Sequence, residues 1–157
     1  MSQTVATRTV DPWTDLNWID VRAPRTNHAF VAVLAIIAIA TGWEWLVGVI
    51  ALQLVVGLTF GRRFCLACYL YFTVIQPRIG EGRIEDARAP RFANQIGAAL
   101  TSLATVAFVA DFAAAGWALA GLVATLAAFS AVTGICVGCV IYARIWGCEE
   151  CRLPARG

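Results

Sequence analysis

Residues 29–60 form the sequence AFVAVLAIIAIATGWEWLVGVIALQLVVGLTF, in which Glu44 is the only charged side chain. As a single helix these 32 residues would be about 48 Å long, well beyond a hydrocarbon core of about 30 Å. Residues 42–45, GWEW, supply a helix breaker, a charge and two aromatic side chains of the kind that favours a membrane interface. The segment therefore predicts a hairpin of two membrane-spanning helices.

A second apolar segment, residues 96–145, contains only Asp111 and Arg144 as charged side chains and breaks near residues 111–116. The chain of 157 residues is 60% hydrophobic and 14% charged, with a mean hydropathy of +0.73, which excludes an ordinary soluble domain. Its net charge of +2 is too small to indicate a nucleic-acid partner, so the expected surroundings are a lipid bilayer. We predict an all-α membrane protein, a four-transmembrane-helix bundle with spans at residues 28–42, 45–60, 95–111 and 115–134.

The basic residues predict the orientation. All twelve are arginines, and they lie before the first span, between the second and third spans, and after the fourth. The positive-inside rule then predicts a multi-pass protein of the inner (plasma) membrane with both termini in the cytoplasm. No removable signal peptide is expected. The predicted parts are a cytoplasmic segment at 1–27 with an interfacial helix from Asp11 to Asp20, a membrane domain at 28–146 and a cytoplasmic tail at 147–157.

An internal repeat organises the chain. Residues 20–25, DVRAPR, recur as residues 86–91, DARAPR, with five of six positions identical. Each copy precedes a predicted hairpin that ends in a CxxC sequence, and a tyrosine follows three residues later. We therefore predict two parallel helical-hairpin repeats, residues 20–75 and 86–146, related by a pseudo-two-fold axis along the membrane normal.

All six cysteines fall into CxxC pairs, and the predicted topology puts every pair on the cytoplasmic side. A CxxC at a helix N-terminus presents its first sulfur to the positive end of the helix dipole, which favours the thiolate. Cys65 is the candidate nucleophile, next to two arginines, and Cys68 is its resolving partner. Cys136 and Cys139 form the corresponding pair without neighbouring cations, so we expect Cys136 to be less acidic.

Three functions fit these pairs. The first is thiol–disulfide exchange or sulfur relay with a soluble partner, which would make the protein a thiol–disulfide oxidoreductase or a relay component. The second is a Cys₄ site for zinc or an iron–sulfur centre, made by the cysteines of both repeats. The third is a non-catalytic membrane scaffold or accessory subunit. The sequence alone leaves all three open, and it assigns no cofactor other than the zinc or iron–sulfur centre of the second function.

The third pair, Cys148 and Cys151, lies outside the repeat in the polar tail. The two glutamates between these cysteines should raise the pKa of both thiols. The pair is a weaker candidate for a metal ligand set or a mobile thiol shuttle, and a surface pair without function fits equally well.

Four other polar residues lie in or beside the predicted spans. We expect His28 to face the headgroups and Gln53 to hydrogen-bond another helix. Glu44 and Asp111 are expected to be exposed turn residues at the non-cytoplasmic side, because intramembrane charges would instead imply an ion path.

The chain resembles a bacterial membrane family known only as domain of unknown function 4395. The resemblance covers about residues 18–146 and implies a small multi-pass membrane protein without an assigned activity. The resemblance also implies that the protein acts together with thioredoxin-like or sulfurtransferase proteins. The third CxxC and the tryptophan-containing N-terminal extension depart from the family pattern. The segments that carry the resemblance are residues 20–25 with Asn27, 65–68, 85–92 and 133–139.

Overall fold

The computed structural model describes residues 11–14 and 17–147, and most of these residues are helical. These described residues form two short strands and seven α-helices, with a 3₁₀ turn at Arg62–Phe64 and a π-helical turn at Tyr71–Ile75. The elements are β1 Trp18–Asp20, α1 Arg22–Thr41, α2 Glu44–Phe60, α3 Leu66–Leu70, α4 Gln76–Ile79, β2 Ile84–Asp86, α5 Arg88–Val109, α6 Ala113–Thr133 and α7 Val137–Trp146.

Both predicted hairpins form, and a residue in the left-handed region makes each turn. Gly42 ends α1 at φ 70°, and its N–H binds the carbonyl of Ala38. Asp111 takes this role in the second hairpin at φ 61°, a conformation that a short polar side chain tolerates. Glu44 and Asp111 are both exposed, as predicted, but only Asp111 lies in a turn, because Glu44 is the first residue of α2.

The long helices form one bundle. Helix α1 packs mainly on α6, α2 packs mainly on α5, and α5 also packs on α6. Small and branched side chains fill the centre, which lets the helices approach closely. The central cluster consists of Val31, Ala32, Ala35, Ile50, Leu54, Ala98, Val123, Ala124 and Ala127.

Within the part of the chain that the structure describes, three helices, α1, α5 and α6, are long and apolar enough to cross a membrane. Helix α2 is also apolar but has only 17 residues. The outward side chains are apolar as well, with Leu52 64% and Val109 83% exposed. Such faces are unfavourable in water and favourable in lipid. The prediction of a helical protein associated with a membrane is therefore confirmed at this level.

Helices α1 and α5 begin earlier than the sequence predicted, at Arg22 and Arg88 instead of near residues 28 and 95. The repeated DxRAPR sequence supplies the first turn of each helix. Its proline lies there because the first N–H groups of a helix have no partner within the helix. The aspartate before each helix accepts a hydrogen bond from the N–H of the first helical residue.

The predicted interfacial helix through Asp20 is wrong at its C-terminal end. Residues Trp18–Asp20 form β1, which pairs antiparallel with β2, so that Trp18 lies opposite Asp86 and Asp20 opposite Ile84. Asp11 makes a tight turn in which its carboxylate accepts the N–H of Trp13. The strand forms because a partner 66 residues away in the chain satisfies its backbone, which no local pattern reveals.

Candidate functional site

The first CxxC pair lies at a break between two helices. Helix α2 ends before Gly61, which has a φ of 90°, and one 3₁₀ turn leads to Cys65 in extended conformation. Cys65 is the N-terminal cap of α3, and its sulfur accepts the N–H of Cys68 at 3.4 Å. Both cysteines are buried, each with 7% of its surface exposed. The predicted placement of Cys65 at a helix N-terminus is confirmed.

The second pair repeats this geometry. Helix α6 ends at Gly134, and Cys136 caps α7 in the same extended conformation. Its sulfur accepts the N–H of Cys139, again at 3.4 Å. Cys136 and Cys139 are partly buried and, like the first pair, carry free thiols. The two repeats therefore present their leading sulfurs in the same way.

The hydrogen bonds of the CxxC turn make the leading thiol acidic in both pairs. The Cys68 thiol donates a hydrogen bond to the Cys65 sulfur, and the N–H groups of Cys68 and Ala67 donate to it as well. Together these bonds outweigh the opposing effect of burial and lower the pKa of Cys65 to about 7. The equivalent bonds from Cys139 lower the pKa of Cys136 to about 7. Because it gives a hydrogen bond to its partner and is itself buried, each trailing thiol has its pKa raised.

The expectation that Cys136 would be less acidic than Cys65 is wrong. The shift comes from bonds within the turn, which both pairs share, rather than from neighbouring arginines. The charge of Arg62 acts on Cys68 instead. It favours the Cys68 thiolate, but the hydrogen bond to Cys65 and burial have larger effects, so the pKa of Cys68 is raised.

Three hydrogen-bonded amide side chains, one of them fully buried, adjoin Cys65. Asn27 is fully buried, and its amide N–H binds the carbonyl of Asn94 at 3.2 Å. The Asn27 carbonyl oxygen accepts both the amide of Gln53 at 3.4 Å and the thiol of Cys65 at 3.6 Å. The prediction that Gln53 bonds another helix is confirmed. The Gln53 amide also bonds the Cys65 sulfur, which favours its thiolate.

Asp20 fixes the CxxC segment to the start of the first repeat. It is 2% exposed and accepts three hydrogen bonds, from the hydroxyl of Tyr71 at 2.8 Å and the backbone N–H groups of Gly82 and Arg22. Burial, followed by the bond to Asp20, raises the pKa of Tyr71, so this hydroxyl remains a donor. In the second repeat Asp86 instead pairs with Arg88, and Tyr142 stacks on Phe92 and Trp146.

A cavity of about 510 Å³ opens beside the first pair, and both of its cysteines line it. Its polar lining includes the amides Asn27, Gln53 and Asn94, while Trp13, Phe60 and Phe64 supply aromatic surface. Three arginines, Arg62, Arg63 and Arg91, line it as well, and none of the described lining residues is acidic. This cavity is therefore the positively charged entrance to Cys65.

The second pair has different surroundings. Its cavity measures only about 110 Å³ and is lined by apolar side chains together with His28, Asn94 and Ser130. Ser130 hydrogen-bonds His28 Nδ1 at 2.9 Å and also bonds the Cys136 sulfur. The expectation that His28 faces the headgroups is therefore wrong, because its ring packs between helices and bonds α6.

Sequence reasoning missed Asn94, Ser130 and the bond from Tyr71 to Asp20. The repeat held a signal for one of them, since His28 and Asn94 occupy equivalent positions, each six residues after the first arginine of its motif. A polar residue at the same place in two membrane helices suggests a bond to another helix.

The four repeat cysteines do not fit a Cys₄ centre in this geometry. Among the described residues, no group of three or more histidine, cysteine, aspartate or glutamate side chains is close enough to hold a metal ion. The two pairs instead open on separate cavities. The third pair, Cys148 and Cys151, lies outside the described residues.

Fold and site together define a helical protein that has helices long and apolar enough to cross a membrane and, among the described residues, two CxxC thiol pairs. Residues 19–146 match the family described as Domain of unknown function (DUF4395), and the chain belongs to that family. The resemblance inferred from the repeated motifs is thereby confirmed. Comparison with curated proteins and with solved structures finds no match.

Proposed function

We propose that α1, α2, α5 and α6 all cross the membrane as two parallel hairpin repeats, residues 20–75 and 86–146. Helices α1 and α2 of the first repeat correspond to α5 and α6 of the second. The packing of α1 on α6 therefore has its equivalent in the packing of α5 on α2, and these are the two main helix contacts. The pairing of β1 with β2 also joins equivalent segments of the two repeats. Helix α2, with 17 residues, extends about 26 Å, close to the thickness of a thin bilayer.

In this architecture the segments 1–27 and 147–157 and all CxxC pairs face the cytoplasm, with the protein in the inner (plasma) membrane. The supporting observation is the arginine distribution, since the turns around Glu44 and Asp111 contain none. An impermeant maleimide should label Cys148 only after intact cells are permeabilised. Labelling of Cys148 from outside intact cells would contradict the orientation.

The function that this site supports best is thiol–disulfide exchange or sulfur relay with a soluble partner. The observation that carries it is the Cys65 sulfur, which caps a helix, has its pKa lowered to about 7 and adjoins an open cavity. A thiol with a pKa near ambient pH combines a large thiolate fraction with strong nucleophilicity. A merely structural cysteine requires none of these three features.

In the exchange, the Cys65 thiolate attacks one sulfur of the partner disulfide and displaces the other sulfur as a thiolate. The Cys68 thiol gives its proton to that thiolate, and its sulfur then attacks Cys65. A Cys65–Cys68 disulfide forms, the second partner thiolate leaves, and two electrons have passed to the partner. In a relay, the Cys65 thiolate instead attacks the outer sulfur of a partner persulfide, so that the partner S–S bond breaks, Cys65 becomes a persulfide and the partner leaves as its thiolate.

The test uses full-length protein with the substitutions Cys148→Ser and Cys151→Ser, so that the pairs Cys65/Cys68 and Cys136/Cys139 alone contribute to the measured thiol oxidation. Reduced protein is mixed with an oxidised thioredoxin-like protein, and mass spectrometry of alkylated peptides follows each pair. We expect Cys65 and Cys68 to alternate between dithiol and disulfide. A first pair that stays reduced with every disulfide and persulfide tested would eliminate the proposal, and unchanged partner function after loss of all four cysteines would leave only a scaffold.

A further inference from the structure

The cavity beside Cys65 has a basic wall. Arg62, Arg63 and Arg91 line it, and the described part of its wall contains no aspartate or glutamate. Arg62 and Arg63 also interact elsewhere, Arg63 with the Asp11 carboxylate and the Trp13 ring, so Arg91 is the guanidinium that is left to attract an anionic substrate. Guanidinium groups are also well shaped to bind carboxylates through paired hydrogen bonds.

Arg91 shows that this charge is not needed for the fold. Its equivalent in the first repeat, Arg25, bonds the carbonyls of Ala131 and Val132 at the C-terminal end of α6. The guanidinium of Arg91 has no hydrogen-bond or ion-pair partner among the described residues, although it lines the cavity. Two arginines at matching positions therefore differ, since one stabilises a helix end and the other is available to a ligand.

The burial of the sulfurs limits the size of what can react there. Cys65 and Cys68 are each only 7% exposed, so a reacting disulfide has to enter the cavity to reach them. A volume of about 510 Å³ is within the range of small-molecule sites, about 300–1,000 Å³. The amides of Asn27 and Gln53 lie beside the sulfur at the inner end, whereas the arginines supply the charge.

We infer that this cavity binds a small anionic disulfide, with its acidic group on the arginines and its sulfur against Cys65. The inference rests on the proposed thiol exchange and names its substrate class. The Cys65 thiolate attacks the disulfide, RSSR, to form a Cys65–SR bond and release RS⁻. That thiolate takes the proton of Cys68, whose sulfur closes the Cys65–Cys68 disulfide and releases a second RS⁻. Two electrons move from the protein dithiol to RSSR, giving RSH and RS⁻.

A phospholipid headgroup offers the same anionic chemistry from another source. A lipid phosphate could bind the arginines from the bilayer surface, but it carries no sulfur for Cys65. The experiment therefore compares a soluble dianion with an anionic lipid, and it separates binding from reaction.

The binding arm measures how fast iodoacetamide alkylates Cys65 in reduced protein held in neutral detergent. Thiodipropionate, a dianionic thioether that cannot exchange, should slow the alkylation, whereas the neutral thiodiethanol should not. In Arg91→Gln the thiodipropionate concentration for half protection should rise about tenfold, from the loss of one charge-assisted contact. Arg91→Lys should retain part of the effect, and Arg78→Gln, an exposed arginine outside the cavity, should match the parent protein.

The reaction arm compares oxidation of the first pair by dithiodipropionate, by neutral hydroxyethyl disulfide and by cationic cystamine. The anionic disulfide should react about tenfold faster than the neutral one, and cystamine should be slowest. Arg91→Gln should slow only the anionic reagent.

Each contrary result has a distinct meaning. Equal rates with all three disulfides and no protection by thiodipropionate would overturn the anionic substrate while leaving thiol exchange intact. Protection without oxidation by any disulfide would overturn the proposed function and, with it, the disulfide as substrate. The lipid is tested by comparing protein in vesicles that contain phosphatidylglycerol with protein in phosphatidylcholine alone. If phosphatidylglycerol slows the alkylation of Cys65 and thiodipropionate gives no further protection, the arginines bind lipid and the inference is wrong.

Discussion

The two CxxC pairs have the same local geometry and different surroundings. In both, the leading sulfur caps a short helix, accepts the trailing N–H at 3.4 Å and has its pKa lowered to about 7. The first pair adjoins a cavity of about 510 Å³ lined by arginines. The second adjoins one of about 110 Å³, where Ser130 and His28 provide the polar contacts.

This difference separates what makes a thiol acidic from what gives it a substrate. Acidity comes from bonds within four consecutive residues, so a repeated sequence reproduces it. Access and charge come from side chains of several helices, which differ between the surroundings of the two pairs. The equivalent arginines, Arg25 and Arg91, illustrate this, because only Arg25 bonds a helix end.

The largest expected effect separates the pairs by function. In Cys65→Ser, oxidation of the protein by dithiodipropionate at the first pair should be lost completely, because the nucleophile is gone. In Cys136→Ser, oxidation of the first pair should stay within about twofold of the parent rate, since the two sulfurs open on separate cavities. Release of the thiol product measures both rates. Equal loss in the two variants would mean that the pairs act as one relay.

Two equivalent aspartates should differ in their contribution to stability. Asp20→Asn should lower the free energy of unfolding by about 2–3 kcal/mol, because it weakens a buried carboxylate that accepts three hydrogen bonds. Asp86→Asn should cost about 1 kcal/mol or less, because the Asp86 to Arg88 ion pair is partly exposed. Unfolding of both variants in the same detergent tests this contrast, and equal losses would contradict it.

Gly138, in the middle of the second CxxC turn, packs closely against Ala93 of α5. A Cβ atom at Gly138 would lie 2.7 Å from that of Ala93, so Gly138→Ala should destabilise the protein by about 1–3 kcal/mol. Gly121→Ala is the matched control, because a Cβ atom there meets nothing within 4 Å. It should be neutral or stabilising by up to about 1 kcal/mol. A Gly138→Ala variant as stable as the control would show that α7 does not pack closely on α5.

The smallest effect concerns pH. Alkylation of Cys65 and Cys136 should increase with pH around a midpoint of about 7, because only the thiolate reacts. Removing the Ser130 hydroxyl takes a hydrogen bond from the Cys136 thiolate, so Ser130→Ala should move that midpoint upward by about one unit or less. His28, which bonds Ser130, and Glu85, which acts on Cys139, are the other ionisable groups at this site.

Cys65 in the same Ser130→Ala sample is the internal control, and its midpoint should not move. A common shift of both midpoints would indicate a global change in the fold. An unchanged Cys136 midpoint would show that Ser130 contributes nothing to its acidity.

Much of the helical structure was predictable from the charge pattern. Both hairpins were expected from the breaks at Gly42 and Asp111, and the placement of Cys65 and Cys136 at helix starts followed from the glycines before them. The helix starts at Arg22 and Arg88 were missed, because charged residues and a proline hide a first turn from hydropathy.

The contacts that build the site were less predictable. Gln53 was expected to bond another helix, but its partner, Asn27, could not be named, because hydropathy does not give the rotation of one helix against another. For the same reason His28 was assigned to the headgroups although it bonds Ser130.

The sequence by itself determined the helical fold, its association with a membrane and the family. Each of these depends on composition or on residues adjacent in the chain, where spacing alone sets the physics. Only the tertiary structure decided that β1 pairs with β2, that Arg25 and Arg91 differ, and that the first of the two described pairs lies beside the arginine-lined cavity. Those properties depend on contacts between segments that are far apart in the chain, such as Arg25 with Ala131, 106 residues away, and such contacts form only when the helices pack.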